Sequence, residues 1–527
     1  MNRGFASRAQ TLADLPRLAA LRFGNKAALH SNSRTFSFED LERRISACAT
    51  GLGELGLHPG DRVVVHLPNT WEWIVAYYGI ARVGCVSVPA NILLVSEEVQ
   101  FIADDCAAVA VIAAAARIAP LRAAQRTPRE LKYIGVRFDS VATSQFTDFD
   151  DLLRRAPFES KDTPAPDDVA TIGYTSGTTG RPKGAVLTHH AIVLNTAMTA
   201  TMHVRTSADR VVTALPCSHV YGNVVMNGAF LCGYSLVLLE RFDAQAALEA
   251  VELYRATLFE GVPTMYYYLL GEESLGRRDL RSLTRATVGG QTMPKSHMRD
   301  VQSKLGCPLL ELWGMTEIAG LGTTHPLYGP EKLGSIGIAL PLSECRIGDL
   351  HDPDKTVPPG AAGELLIRGP TVMQAYYGRS DATREVLREG GWLSTGDVAY
   401  RDADNYLYIV DRIKEMIITA GYNIYPSEIE RVIADHPAVQ IVAVGAIPDT
   451  AKGELAHAFV ILKQGAGLDE TELLAHCRAQ LAAYKVPKAI HFVTDLPKTS
   501  TGKIMRRALH TLDFPGASRP IAQRKTS

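Results

Sequence analysis

The stretch DRVVVHLPNTWEWIVAYYGIARVGCVSVPAN, Asp61 to Asn91, changes texture twice. Asp61 to Asn69 is a short run rich in β-branched residues. Thr70 to Gly84 places apolar residues at helical spacing and stops on a glycine. Val86 to Asn91 returns to strand character. Strand, helix, strand at this spacing predicts parallel strands joined by a crossover helix, and so an α/β protein. The same rhythm recurs in RVVTALP, YGNVVMNGAFLCG and SLVLLE, and again in ATLFEGVPTMYYYLL and SLTRATVGG.

Composition bounds what such a chain can be. It has 527 residues, 46% hydrophobic and 21% charged, with a formal net charge of -1. That length exceeds one hydrophobic core, so at least two domains are expected. The near-neutral balance supplies no long-range attraction to nucleic acid, and no nucleic-acid partner is expected. The eight cysteines include no CxxC pair, so reduced thiols in a cytoplasmic setting are expected. The first residues show no apolar signal core. Cys106 to Ala116 and Val224 to Leu239 are apolar but fall short of the ~20 residues of a spanning helix. Both read as buried segments of the α/β core, and no transmembrane segment is expected.

After about Gly360 the texture changes to hairpins, and from roughly Arg412 it becomes a small α+β unit. The Pro- and charge-rich Ala156 to Asp168 reads as a surface connection, and the basic tail after Pro515 as disordered.

The segment TSGTTGRPKG, Thr175 to Gly184, carries chemistry. Its N–H groups and hydroxyls can wrap phosphate oxygens, glycine permits close approach, and Lys183 adds a point charge. It is not a Walker loop, because Pro182 rather than glycine precedes the lysine, and the serine is one place too late for GxSxG. Five further segments follow in order: LWGMTE (Leu312 to Glu317), GELLIRGPTVMQAYYG (Gly363 to Gly378), GWLSTGD (Gly391 to Asp397), DRIKEMIITAGYNIYPSEIE (Asp411 to Glu430) and LPKTSTGKIMRR (Leu496 to Arg507). Together they resemble the adenylate-forming superfamily of acyl- and aryl-CoA synthetases, adenylation domains and firefly luciferase, from about Ala27 to Leu512. Their texture is most similar to fatty acyl-CoA ligases.

The resemblance implies a large multi-layer α/β N-terminal domain, residues 1–410, and a small mobile α+β domain, 411–527. It implies a two-step reaction with ATP, Mg2+ and coenzyme A: a carboxylic acid becomes an acyl-AMP with pyrophosphate release, then a thioester. Thr175, Ser176, Gly177, Thr178, Thr179, Gly180 and Lys183 would hold phosphates. Gly290, Gln291, Trp313 and Gly314 would flank adenine, with Gln291 where the family has a small residue and Trp313 where it more often has tyrosine. Asp397 would take the ribose hydroxyls, assisted by Arg412. Glu317 would hold the metal, with Thr316 beside the α-phosphate. Lys503 would be the catalytic lysine bridging carboxylate and α-phosphate, His219 would lie near the acyl carboxylate and thiol path, Lys414 would be the hinge, and Gly421 would line the coenzyme A channel. For an isolated Glu317, Trp313, Asp397 or Lys503 the commoner roles are a helix-start acid, a core tryptophan, a turn acid and a solvated lysine; the collinear set outweighs them.

The acyl pocket is assigned to Tyr221, Asn223, Met226 and Asn227. The segment after His219 has no acid for a substrate ammonium, and Asp243 comes after the next strand as a decoy. The short span from Glu317 to Gly334 lacks the insertion of fatty-acyl-AMP ligases, which favours coenzyme A over an acyl carrier protein. A medium- or long-chain fatty acid fits best; an aryl acid, carrier-protein loading and a non-catalytic binding relative are the alternatives. The retention of both Lys503 and Glu317 favours the enzyme. The adjacent His189 and His190 point apart at a helix start and read as structural.

Overall fold

The computed structural model describes residues 10–127, 130–138, 146–158, 164–175, 182–419, 422–449, 452–463, 465–497 and 504–512. The opening stretch folds as its pattern predicts. Strands Arg62–His66 and Val86–Pro89 pair in parallel, and helix Trp71–Val83 crosses between them. Gly84 ends that helix in the left-handed region, φ +82, where a side chain would be strained.

These strands belong to a seven-stranded sheet, parallel except for its last pair, Val169–Thr175 with Lys183–Thr188. A nine-stranded mixed sheet has Arg210–Thr213, Leu258–Gly261, Arg285–Gly289 and Leu309–Met315 side by side in parallel at its centre. Alternation along the strands sorts the layers. Val63 and Val65 enter one core while Val64 enters another, and Val211 shares the first core while Val212 enters a third. The shared core lies between the two sheets, and helices Trp71–Val83 and Val220–Cys232 fill it. Eleven of the thirteen residues of Trp71–Val83 are buried, the signature of a helix covered on every side. Helix Lys295–Leu305, on the outer face, buries only Met298, Val301 and Leu305.

Two smaller sheets complete the described residues. Glu344–Gly348, Gly363–Arg368, Leu393–Arg401 and Leu407–Arg412 form an antiparallel sheet. A five-stranded sheet begins at Ile417 and packs helices Pro426–Ala434 and Glu470–Gln480 around their own core. Arg412 thus closes the last strand of one sheet, and the next sheet opens five residues later. No helix among the described residues is long and apolar enough to cross a membrane.

Candidate active site

Strand pairing sets Thr175 opposite Lys183 at the two stems of the phosphate-type loop. The loop residues Ser176, Gly177, Thr178, Thr179 and Gly180 lie outside the described residues, as do Gly421 and Lys503. The stem is anchored from behind: Tyr174 donates its hydroxyl to Asp105 at 2.7 Å, and Asp105 also pairs with Arg379. Gly173 leaves room for Thr316, whose Cγ2 would lie 2.5 Å from a Cβ there. The stem and the Thr316–Glu317 turn are therefore in contact.

That turn is built by close backbone approaches. Strand Leu309–Met315 ends in a short 3-10 turn, Thr316–Ile318, and Ala319 takes a left-handed φ of +58. A Cβ at Gly314 would lie 2.2 Å from the carbonyl oxygen of Gly320, so only glycine fits. Asn195, fully buried on helix His189–Met202, donates to the carbonyls of Ile318 and Leu321 at 3.0 and 2.8 Å. Its Oδ1 accepts from the N–H of Leu321 at 3.1 Å.

Glu317 is 7% exposed, and burial raises its carboxyl above the ordinary range. Tyr376 donates its hydroxyl to Glu317 Oε1 at 2.7 Å. The backbone of Tyr376 bridges that of Ala185, and Lys183 Nζ sits 5.2 Å from the Tyr376 ring centroid. Lys183, Tyr376 and Glu317 thus form one stack, with the ring face under the cation. This donor set fits a divalent cation. An ionised carboxylate has about four acceptor sites, and one hydrogen bond leaves room for a hard metal. A cation would also reverse the burial penalty on the charged form.

Asp397 faces the same region from the antiparallel sheet. Gly396, at φ +73, turns the strand, and the N–H of Gly396 is held by Glu364 at 3.2 Å. Asp397 is 3% exposed and lies opposite Arg412 in the strand register. Arg412 Nε pairs with Asp397 Oδ1 at 2.8 Å, and Trp313 Nε1 donates to Oδ2 at 2.8 Å. The Asp397 charge is the first cause raising the Arg412 guanidinium. Trp313 is thus both buried and polar-bonded: where a phenol would sit in a tyrosine version, its indole N–H orients the carboxylate. Each Asp397 oxygen keeps a lone pair for a hydroxyl donor.

Register also sets Gly289 opposite Leu312, which brings Gly290 and Gln291 beside Trp313 and Gly314. Gly290 takes φ +91, and Gln291 is half-buried. Behind them Glu311 is buried, with Oε2 unpaired, and burial pushes its carboxyl up to about 8. The N–H of Met293 and the charge of Lys295 oppose that rise.

His219 caps helix Val220–Cys232, its Nδ1 accepting from the N–H of Tyr221 at 3.3 Å, which leaves the neutral ring's proton on Nε2. Asn69 pins the approach to it, donating to Leu215 O at 2.9 Å and accepting from the N–H of Cys217 at 2.9 Å. The four residues assigned to the acyl pocket have different neighbours. Tyr221 meets Thr287 at 2.6 Å, whereas Asn223 and Asn227 face helix Trp71–Val83, where Tyr78 donates to Asn227 at 2.7 Å and Tyr77 to Asn223 at 3.3 Å. Met226 is fully buried between these directions. Lys414 is exposed in the 3-10 turn Ile413–Glu415. His189 is buried and accepts from the N–H of Leu12, while His190 is exposed. Asp243 caps helix Ala244–Leu253.

Sequence reasoning missed Tyr376, Asn195 and Asn69. The segment holding Tyr376 was marked as a motif, but nothing in it separates Tyr376 from Tyr377. The two asparagines act by burial, which no local pattern records.

Together the fold and site define an adenylate-forming α/β enzyme. Residues 17–377 match the AMP-binding enzyme family, and residues 428–503 match the AMP-binding enzyme C-terminal domain. The chain belongs to the AMP-binding enzyme family. It is similar to the long-chain-fatty-acid–CoA ligase of Bacillus subtilis (strain 168), 34% identical over 531 residues covering 95% of this chain and 94% of the relative. It is also similar to the feruloyl-CoA synthase of Amycolatopsis sp, 36% identical over 510 residues covering 95% and 98%. Among solved structures, the anthranilate CoA ligase AuaEII in complex with anthranoyl-AMP superposes with a TM-score of 0.88 at 27% identity, covering 95% and 96% of the two chains.

Proposed function

We propose that this acid–CoA ligase acts on medium- or long-chain fatty acids, through acyl-AMP, with ATP, Mg2+ and coenzyme A. The observation that carries the reaction class is one strand and its turn, Leu309–Met315 and Thr316–Ile318, holding Trp313 of the Asp397–Arg412 cluster and Glu317 of the Lys183–Tyr376 stack. The stack supplies charge for phosphates and the cluster acceptors for a ribose.

The first step joins a carboxylate to a phosphate, two anions, so repulsion must be offset by preorganised charge. Lys183 and the loop from Thr175 to Gly180 hold phosphate oxygens, and Thr316 lies beside the α-phosphate. Glu317 would hold Mg2+, which supplies Lewis-acid neutralisation of phosphate charge when bound. Asp397 and Arg412 orient the ribose, and Trp313, Gly314, Gly290 and Gln291 enclose the adenine. Lys503 places its ammonium between carboxylate and α-phosphate. His219 lines the path of the thiol, Gly421 leaves room for the pantetheine arm, and Lys414 is the pivot between domains 1–410 and 411–527.

Tyr221, Asn223, Met226 and Asn227 shape the acyl end. The amide oxygens of Asn223 and Asn227 accept from Tyr77 and Tyr78, and Asn227 donates to Asn223, which leaves Met226 and the ring of Tyr221 as the apolar groups suited to an alkyl chain. Similarity to a feruloyl-CoA synthase supports an aryl acid as the second reading. Coenzyme A rather than a carrier protein is the acceptor, and the eight free thiols suit a reducing cytoplasm.

The test is ATP-dependent pyrophosphate release across fatty acids of graded length and benzoate and cinnamate types, with and without coenzyme A. Release dependent on a fatty acid, with thioester formed, is expected. Lys503→Ala should lower the rate by about 10² or more, roughly 3 kcal/mol. Release with aryl acids alone would move the substrate to the second reading. Release without thioester would move the acceptor to a carrier protein.

A further inference from the structure

Arg506 opens the 3-10 helix Arg506–Thr511 near the end of the described chain. Its guanidinium meets three carboxylates. Nε and Nη2 fork onto Glu430 Oε1 and Oε2 at 2.9 and 2.7 Å. Nη1 donates to Asp411 Oδ1 at 3.0 Å and also to Glu415 Oε2. Fork geometry of this kind fixes direction as well as energy.

Asp411 is the link to the nucleotide side. It is 3% exposed, precedes Arg412 at the end of the same strand, and lies opposite Val398 as Arg412 lies opposite Asp397. Its Oδ1 accepts from the N–H of Arg412 at 2.8 Å, and its Oδ2 from the N–H of Ser427 at 2.8 Å. An unbroken path therefore runs from Arg506 through Asp411 to the Arg412 backbone, then from the Arg412 guanidinium to Asp397 and Trp313.

Charge makes this path matter. The turn after Arg412 carries Glu415, whose charge also acts on the Arg412 guanidinium. Glu415 and Asp397 are thus rivals for one arginine. While Arg506 holds Glu415, Arg412 stays on Asp397. Without Arg506, Asp411 and Glu415 would repel each other, the strand end would loosen, and Glu415 would draw Arg412 away.

We propose that Arg506 is a positioning residue for ribose recognition, keeping Arg412 on Asp397 by occupying Glu415 and Asp411. This rests on the reading of Asp397 as the ribose acceptor. Arg506 touches neither Asp397 nor the reacting atoms, and acts through Arg412.

Calorimetric titration of the full chain with ATP and with 2′,3′-dideoxy-ATP, at equal Mg2+, tests it without any acid substrate. The readout is the ratio of the two affinities. Wild type should favour ATP, and Asp397→Asn should bring the ratio near one. Arg506→Gln should lower the ratio by about threefold to tenfold, the share of one ordinary hydrogen bond. Adding Glu415→Gln should restore it, because the rival is gone. If Arg506→Gln does not fold, Arg506→Lys takes its place, with a fall of about twofold to threefold as the fork is lost. A folded Arg506 variant with the wild-type ratio overturns the proposal, and so does a fall that Glu415→Gln fails to restore. A wild type that does not discriminate, or an Asp397→Asn that still does, overturns the ribose reading and the proposal with it.

Discussion

Two of the arginines that hold carboxylates in this molecule have opposite surroundings. Arg205 pairs with Glu260 at 2.9 Å inside the nine-stranded sheet, with side chains 1% and 0% exposed. Glu260 also accepts from Thr287, which meets Tyr221 of helix Val220–Cys232, and Arg205 reaches His203 and Tyr234. Burial and the neighbouring arginines keep His203 neutral. Arg506 instead sits at an edge, 19% exposed, facing Asp411, Glu415 and Glu430. The first group is balanced one to one and sealed. In the second, among the described residues, one arginine meets three acids and touches water. A sealed, balanced pair has nowhere to move, because either charge alone in that interior is prohibitive. An unbalanced edge cluster leans on its arginine and can rearrange.

The hardest blow to that contrast is Arg205→Met. It leaves Glu260 alone in the sheet and should cost ~3–5 kcal/mol in urea unfolding, with little response to salt. Arg506→Met should cost less, about 1.5–3 kcal/mol, because solvent can reach the acids, and added salt should shrink the loss. Equal and equally salt-insensitive losses would erase the difference between the two clusters.

A third buried carboxylate shows what happens with no arginine at all. Glu311 keeps its proton up to about pH 8 in the fold but loses it near 4.5 when unfolded. Its folded pKa is raised, so its contribution is full below the unfolded value and is lost as pH rises through the folded one. Between pH 5 and 8 that loss is roughly 3 kcal/mol. Glu311→Gln should flatten the fall in melting free energy over that window, as thermal unfolding at several pH values will show. An unchanged slope would mean that Glu311 is ionised and paired.

The smallest effect is expected at Asp397. Asp397→Asn keeps the shape but removes the charge that holds Arg412, and should weaken ATP binding by roughly 10-fold, about 1.4 kcal/mol. Full ATP affinity in that variant would detach the Asp397 cluster from the nucleotide.

Much of this was legible before any coordinates. Asp61 to Asn91 announces its strand, helix and strand because period and a glycine stop are local properties. The motifs from Thr175 onward name the family because each bears polar groups at fixed offsets. The glycines at 314 and 320 were visible as letters, but their purpose was not. Gly314 is needed because a backbone carbonyl lies 2.2 Å from where its Cβ would be. Tyr221, Asn223, Met226 and Asn227 stand close together in the sequence, but spacing alone does not say what each one meets. In space Asn223 and Asn227 turn to Tyr77 and Tyr78, and Tyr221 turns away from them to Thr287.

The sequence by itself determined the α/β class, the order of motifs and the family, since these rest on residue type and short-range spacing. Only the tertiary structure decided who meets whom. It set Tyr376 between Lys183 and Glu317, Trp313 against Asp397, and Arg506 among three acids of the distant Asp411 to Glu430 segment. Hydrogen bonds and ion pairs act over about 3 Å, and residues far apart in the chain come that close only when the sheets have packed.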